Sequence, residues 1–338
     1  MNSSYLYYAY HLDRDYFIPF VQIYQPIYGI AILPLHFIAF YLLIVHTKSW
    51  ALSIKIGYFL TQFIMLAHDV WTCFLCRGYV FLPNPIMICT GVFCNLFGPS
   101  NALTVEHLLM VHSITFFQFT LFMMQQQVAS LNRSYVLSKW LKIFIISLIY
   151  FGLWANGIVS ILTGGDVPNA QEIIDRQQLD WLLYVDNAKI LVFGEVGYLG
   201  PYRYGNSEVY VVIASIIVML PVRYFLIGSS FQLLKFQSAV TSRTNQMKKL
   251  YISVLMRQTT VLSIFYVYPL LLTIIAWRFQ VEFIPDLSLA VFRIGGVMLH
   301  MFQTIPQFYV LISANKSFRK VNFRNLCIFN YSLQILIS

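Results

Sequence analysis

The stretch IPFVQIYQPIYGIAILPLHFIAFYLLIV, residues 18–45, contains no Asp, Glu, Lys or Arg. A helix needs about 20 apolar residues to cross the roughly 30 Å hydrocarbon core of a bilayer. Backbone groups left unpaired in lipid cost several kcal/mol each, so a spanning segment of this kind must be helical. The stretch therefore predicts a membrane-spanning helix.

The rest of the chain has the same character. Of its 338 residues, 59% are hydrophobic, 17% are aromatic and 10% are charged, against about 25% charged in soluble domains. Mean hydropathy is +0.68, which excludes a water-soluble globule. The absence of low-complexity tracts and heptads excludes disordered and coiled-coil proteins. Apolar blocks of spanning length occur at 18–45, 56–75, 103–128, 141–162, 209–233, 253–277 and 287–312.

These seven blocks predict an all-α membrane protein, a seven-transmembrane helix bundle, with one domain over residues 1–338. A long loop at 163–207 and a tail at 313–338 complete it. No cleavable signal peptide is predicted, because the first 17 residues lack a basic start followed by a short apolar core. The loop at 163–207 is either a lid over a ligand site or an ordinary solvated loop.

Charges divide cleanly between the two ends of the predicted spans. Six cations and 11 carboxylates fall on one side, whereas the other side holds 14 cations and no carboxylate. Cytosolic loops collect Lys and Arg, so we expect the N-terminus outside and the C-terminus inside. This bias also explains the formal net charge of +9, and nucleic-acid binding is not predicted.

Ionisable side chains inside a bilayer are costly and are functional candidates by default. Asp69 in span two and Arg293 in span seven lie on neighbouring helices of a closed ring, so an ion pair between them is expected, with or without a ligand contact. Glu106 and His112, near the outer end of span three, could meet a polar ligand or solvent. Arg223 of span five is expected to snorkel to the inner headgroups.

Two prolines bear on movement. Pro269 falls in the middle of span six and Pro306 near the inner end of span seven, where each frees a carbonyl and kinks its helix. Tyr309 follows Pro306 by one helical turn. Kinked inner ends can swing, although a lipid-packed kink without a signalling role is the alternative.

Sequons and cysteines give further expectations for the outer side. On the assigned topology Asn2 is the sequon that the glycosylation machinery can reach. Cys76 is expected to form a disulfide with Cys89 or Cys94, because that compartment is oxidising. No metal site is predicted, since no His follows these cysteines at the usual spacing.

Missing motifs also narrow the function. The chain has no Walker loop, HExxH, GxSxG or paired intramembrane Asp, so neither an enzyme nor a cofactor is predicted. It also has no TVGYG-like filter and no inverted repeat. A ligand-gated channel subunit of the odorant-receptor type and a transporter remain as alternatives, although that channel type has its N-terminus inside.

Short sequences along the whole chain resemble nematode seven-transmembrane chemoreceptors of serpentine receptor class I and the allied class H. The similar elements are Leu33-Pro34-Leu35-His36, Asp69, Phe81-Leu82-Pro83, Cys89-Thr90-Gly91, Phe97-Gly98-Pro99-Ser100, Met256-Arg257-Gln258, Pro269 and Lys316-Ser317-Phe318-Arg319. In addition, Pro306-Gln307-Phe308-Tyr309 is similar to the Pro-x-x-Tyr half of a motif in rhodopsin-like receptors.

The resemblance implies a G-protein-coupled receptor for environmental chemicals in the plasma membrane, in a sensory neuron cilium and with a role in olfaction. Its expected partners are a small-molecule ligand and a heterotrimeric G protein, and its oligomeric state is left open. The candidate ligand-binding residues are Asp69, Glu106, His112, Tyr266, Tyr268, Arg293 and Gln303. The candidate G-protein-facing residues are Arg133, Lys142, Lys248, Lys249 and Arg257. Loss of Tyr266 or Arg293 is expected to weaken the response without loss of surface protein.

Overall fold

The structure is a computed structural model. It describes residues 12–45, 51–81, 86–130, 136–163, 169–176, 179–185, 188–192, 220–233, 253, 256–261, 263–267 and 286–314. Within these residues three continuous helical stretches are long and apolar enough to cross a membrane, namely Asp13–Val45, Leu52–Cys76 and Pro99–Ala129.

Helices dominate the described chain. Helix α1 spans Ile18–Val45 after a π-helical turn at Asp13–Phe17, and α2 spans Leu52–Val70 and continues through a second π-helical turn, Trp71–Cys76. The later helices are α3 (Val92–Phe97), α4 (Pro99–Ala129), α5 (Lys139–Thr163), α6 (Ala170–Arg176), α7 (220–233), α8 (256–261), α9 (Asp286–Phe302) and α10 (Thr304–Ala314).

A small antiparallel sheet lies at the end of the bundle where α1 begins and α2 ends. Strands β1 (Gly78–Val80), β2 (Ile86–Cys89) and β3 (Lys189–Val192) follow one another in the sheet, and Met87 of β2 faces both Val80 and Leu191. The sequence analysis predicted helices alone, so this sheet is an addition to the expected fold.

The long loop packs onto this end of the bundle rather than standing free in solvent. It contains α6, a 3₁₀ turn at Asp180–Tyr184 and strand β3. Its buried Ile173 and Leu182 share an apolar cluster with Ile18 of α1 and with Phe81 beside the sheet. The described part of the loop therefore packs against the start of α1 and the sheet.

Two residues turn the chain from α2 into the sheet and back toward α4. Arg77 adopts the left-handed conformation, with φ at 50°, and its Nη2 donates to the Thr90 carbonyl at 2.8 Å. The Gly91 N–H donates to the Cys76 carbonyl at 2.8 Å. A methyl group on Gly91 would overlap the Leu75 carbonyl, so this crossing requires glycine.

The main apolar core lies among α1, α2, α4, α7 and α10. Leu43, Tyr58, Leu121, Ile227 and Leu311 contribute one buried side chain from each of these helices. Close packing of α2 against α4 uses Gly57, where an added methyl group would strike the Thr120 side chain. These helices hold the polar groups described below away from lipid.

Candidate functional site

A buried carboxylate at the outer part of α2 joins three helices. Asp69 is 4% exposed, and its Oδ2 lies 2.7 Å from His36 Nε2 of α1. The Thr304 hydroxyl of α10 donates to the same oxygen at 2.5 Å. Gln62 Nε2 donates to His36 Nδ1 at 2.6 Å, which leaves the hydrogen on Nε2 to bond Asp69. Removing His36 would take one of the two bonds from this buried carboxylate oxygen and leave Thr304 as its donor.

The preceding residue, His68, extends the network to α4. Its Nε2 lies 2.9 Å from Glu106 Oε1, and its Nδ1 lies 3.4 Å from Gln303 Nε2 and 3.9 Å from Asp69 Oδ1. His68 is 2% exposed and Gln303 is 5% exposed. Two carboxylates and two imidazoles thus hold α1, α2, α4 and the seventh predicted span together.

The seventh span is broken where it meets this network. Helix α9 ends at Phe302 and α10 begins at Thr304, with Gln303 as a turn between them. Pro306 lacks the N–H that would bond to the Phe302 carbonyl, and this loss favours a break at this point. The Tyr28 hydroxyl donates to the Met301 carbonyl at 2.7 Å beside the break. The interruption therefore presents side chains of both segments to α2.

A cavity of about 30 Å³ lies among α1, α2, α4, α8 and α10, next to the break. Polar groups lining it include Gln62, Gln258, Gln303 and Gln307, together with the Tyr58 hydroxyl. This volume suits one or two water molecules and is far below the roughly 300 Å³ of a ligand pocket.

Two hydrogen bonds tie α8, part of the sixth predicted span, across this cavity. The Tyr58 hydroxyl of α2 donates to Gln258 Oε1 at 3.1 Å, and Gln307 Nε2 of α10 donates to the Gln258 carbonyl at 3.2 Å. Gln258 is 7% exposed. The position of α8 is therefore coupled to α2 and α10 through one residue.

A second buried charge cluster fastens the start of α1 to α9 and to the sheet. Asp13 is 0% exposed, and both of its oxygens accept bonds from the guanidinium of Arg293, which is 3% exposed. The Tyr79 hydroxyl donates to Asp13 Oδ1 at 2.6 Å. Burial raises the pKa of Tyr79, and the nearby Asp13 carboxylate raises it further. The phenol therefore stays protonated and remains a donor.

The expected ion pair between Asp69 and Arg293 is wrong. The two helices are near each other, since Asp69 contacts Thr304, but Thr304 lies about 16 Å farther along the helix axis than Arg293 at 1.5 Å per residue. Arg293 instead sits at the depth of Asp13. The two spans are neighbours as predicted, but Asp69 and Arg293 lie at different depths.

The predicted disulfide between Cys76 and Cys89 or Cys94 is wrong. The disulfide joins Cys89 to Cys94, and Cys76 is a free cysteine. The turn at Gly91 folds α3 back against the end of β2, which brings these two Cα atoms to 6.0 Å. The Cys76 thiol lies 3.5 Å from the Cys89 sulfur. The three sulfurs lie within 4.8 Å of one another, but two sulfurs bonded to each other cannot act as thiolate ligands.

Arg223 does not reach the inner headgroups as expected. It is 2% exposed, and its guanidinium carbon lies 5.1 Å from the centre of the Phe117 ring. It shares a buried face of α7 with Leu226, Ile227 and Ser230, at the i+3, i+4 and i+7 positions. Arg223 lies near the middle of the predicted span 209–233, about 15 Å from the lipid headgroups. Its side chain is too short to reach them.

The remaining predicted residues do not join the Asp69 network. His112 turns toward α5, where its ring centre lies 5.4 Å from that of Trp154, and its Nδ1 donates to the Leu108 carbonyl at 2.6 Å. Lys142 is half-buried, Arg257 is exposed and Tyr309 is 70% exposed. The side chain of Tyr266 and residues Asn2, Arg133, Lys248, Lys249, Tyr268 and Pro269 lie outside the described residues.

Sequence reasoning missed His36, His68 and Thr304. Asp69 was the one site residue selected in the first two spans, although imidazoles and hydroxyls also avoid lipid. Taking every His within the predicted spans as a candidate would have included both imidazoles of the network.

Bundled apolar helices around a buried polar centre define a helical multi-pass membrane protein. The family model for the serpentine type 7TM GPCR chemoreceptor Srh matches residues 19–298, and the chain belongs to this family. The resemblance to nematode serpentine chemoreceptors is thereby confirmed, through the second of the two classes. A comparison with curated proteins finds no match. The family is one of receptors, not of enzymes.

Proposed function

We propose that this chemoreceptor binds an extracellular small molecule and activates a heterotrimeric G protein. Its N-terminus would face the outside and its C-terminus the cytosol, in the plasma membrane of a sensory cilium. The observation that carries the proposal is the break in the seventh span at Gln303, whose flanking side chains bond to His68 and Asp69. A helix that is interrupted where it meets a buried charge can adopt two arrangements.

The ligand would act by favouring one of these arrangements. A polar ligand group that competes for Glu106 or Asp69 at the outer side would weaken the bonds to Gln303 and Thr304. Only a difference in affinity between the two arrangements can shift their populations. We therefore place ligand recognition at the outer halves of spans two, three, five, six and seven, with Asp69, Glu106 and Gln303 as its polar contacts.

Transmission to the cytosolic side would pass through Gln258. Its bonds to Tyr58 and Gln307 hold the sixth span inward, and their loss would let that span swing away. Arg257 is exposed beside it, and together with Lys142, Arg133, Lys248 and Lys249 it would line a basic cleft. The C-terminal helix of a G-protein α subunit would bind there as a helix in a groove.

The test is basal and agonist-stimulated G-protein dissociation in cells that express the receptor. Tyr58→Phe removes one bond that holds the sixth span inward, in the arrangement taken here as inactive. The loss destabilises that arrangement by about 1 kcal/mol and should raise basal activity about fivefold. Thr260→Val is the matched control, since the exposed Thr260 hydroxyl bonds within its own helix. Unchanged basal activity in both Tyr58→Phe and Gln307→Leu would contradict the mechanism, and a GTP-independent agonist current would favour a channel.

A further inference from the structure

Arg223 is a buried cation to which the described part of the chain supplies no counter-charge. It is 2% exposed, and its Nε and Nη1 have no hydrogen-bond partner among the described residues. The Phe117 ring offers a cation–π contact at 5.1 Å. Such a contact returns less than the desolvation of a guanidinium costs, so an unpaired buried Arg is unfavourable unless an anion joins it.

The predicted spans offer few carboxylates as partners for Arg223. Across the seven predicted spans the sequence contains two acidic residues, Asp69 and Glu106. Asp69 bonds to His36 and Thr304, and Glu106 bonds to His68. Every other Asp and Glu falls outside the predicted spans. No carboxylate among the described residues pairs with Arg223, so an anion from outside the chain is a candidate partner.

Apolar side chains accompany Ser230 on the buried face of α7 that carries Arg223. Phe117 contacts the guanidinium, and Phe117, Leu226 and Ile227 belong to one buried apolar cluster. A guanidinium presents several N–H donors in a planar fork that matches the two oxygens of a carboxylate. An apolar wall beside such a fork suits a molecule with one carboxylate and a hydrocarbon tail.

We propose that the receptor binds small organic acids, with the ligand carboxylate paired to Arg223 and the tail against Phe117, Leu226 and Ile227. This inference goes beyond the proposed function, because Arg223 lies at mid-depth and the acid would occupy a second site, separate from the outer contacts Asp69, Glu106 and Gln303. The binding itself does not depend on G-protein coupling. Inorganic chloride could satisfy the same charge, so the experiment includes it as a separate ligand.

The experiment measures the thermal unfolding midpoint of the purified full-length receptor in nanodiscs of zwitterionic lipid and chloride-free buffer. The probes are straight-chain carboxylates of two to eight carbons, the alcohols of equal length, and sodium chloride. The carboxylates should raise the midpoint increasingly with tail length, whereas the alcohols should not. Arg223→Met should abolish the shift and leave the ligand-free midpoint equal or higher, because an unpaired charge has been removed.

Lys139→Met is the matched control, since it removes one exposed cation and should respond as the wild type does. If Arg223→Met does not fold, Arg223→Lys keeps the charge without the fork and should need at least a tenfold higher acid concentration for the same shift. Equal stabilisation by chloride, equal stabilisation by alcohols, a wild-type response from both Arg223 variants, or no shift with any acid would each overturn the proposal.

Discussion

Replacing Arg293 by Met should be among the most damaging substitutions at the outer end of the bundle. The change removes the cation that contacts both oxygens of Asp13 and leaves a carboxylate that is 0% exposed. Tyr79 would remain as its hydrogen-bond donor. Breaking a buried pair by removing one partner costs about 3–5 kcal/mol, which corresponds to roughly a hundred- to several-thousand-fold loss in the ratio of folded to unfolded protein.

This expectation differs from the loss of response without loss of surface protein that the sequence analysis predicts for Arg293. The assay is the unfolding free energy of the detergent-purified receptor, read beside its amount at the cell surface. Adding Asp13→Asn to Arg293→Met should recover at least half of the lost free energy, because the neutral amide still accepts the Tyr79 bond. Asp15→Asn is the control, since its pair with Arg14 is exposed and should change stability by less than about 1 kcal/mol. Equal losses in the single and double variants would refute the assignment.

Three further predictions concern the outer side. Mass spectrometry of unreduced peptides should find Cys89 joined to Cys94, and a bridge from another cysteine would contradict the structure. Gly91→Ala should destabilise the protein by about 1–3 kcal/mol because its methyl group would overlap a backbone carbonyl, whereas Gly228→Ala, with open space around it, should not lower the unfolding midpoint. Asn2 should carry a glycan, and a tag on that terminus should be accessible on intact cells while a C-terminal tag is not.

The membrane class and the family could be predicted from hydropathy and short motifs, because a bilayer leaves the backbone few alternatives to a helix. The sheet could not be predicted from the sequence. Strands β1 and β2 are three and four residues long, and β3 comes from a loop roughly a hundred residues later in the chain. Strands this short carry little alternating pattern of their own. The pairing of β3 with β2 depends on the long loop at 163–207 reaching the end of the bundle. No local sequence pattern encodes that contact.

The candidate site could be predicted only in part, because its residues could be selected from the sequence but their partners could not. Asp69, Glu106 and Gln303 could be selected because polar groups are rare inside spans, and the structure brings all three to His68 or its neighbour. Their partners depend on the depth at which one helix meets the next. Hydropathy fixes span boundaries to a few residues, and an error of one helical turn moves a side chain by about 5 Å, which is enough to exchange one partner for another.

Charge matching inside the bundle links the two proposals. The network around His68 uses both acidic residues of the spans, Asp69 and Glu106, and pairs them with imidazoles. Arg293 finds its carboxylate in Asp13, just before the first span. Because these acids pair with histidines rather than arginines, Arg223 has no counter-ion among the residues that the structure describes. If an acidic ligand supplied that charge, it would press on Phe117, which also lines the cavity beside Gln258. Ligand binding and the position of the sixth span would then be coupled through one aromatic ring.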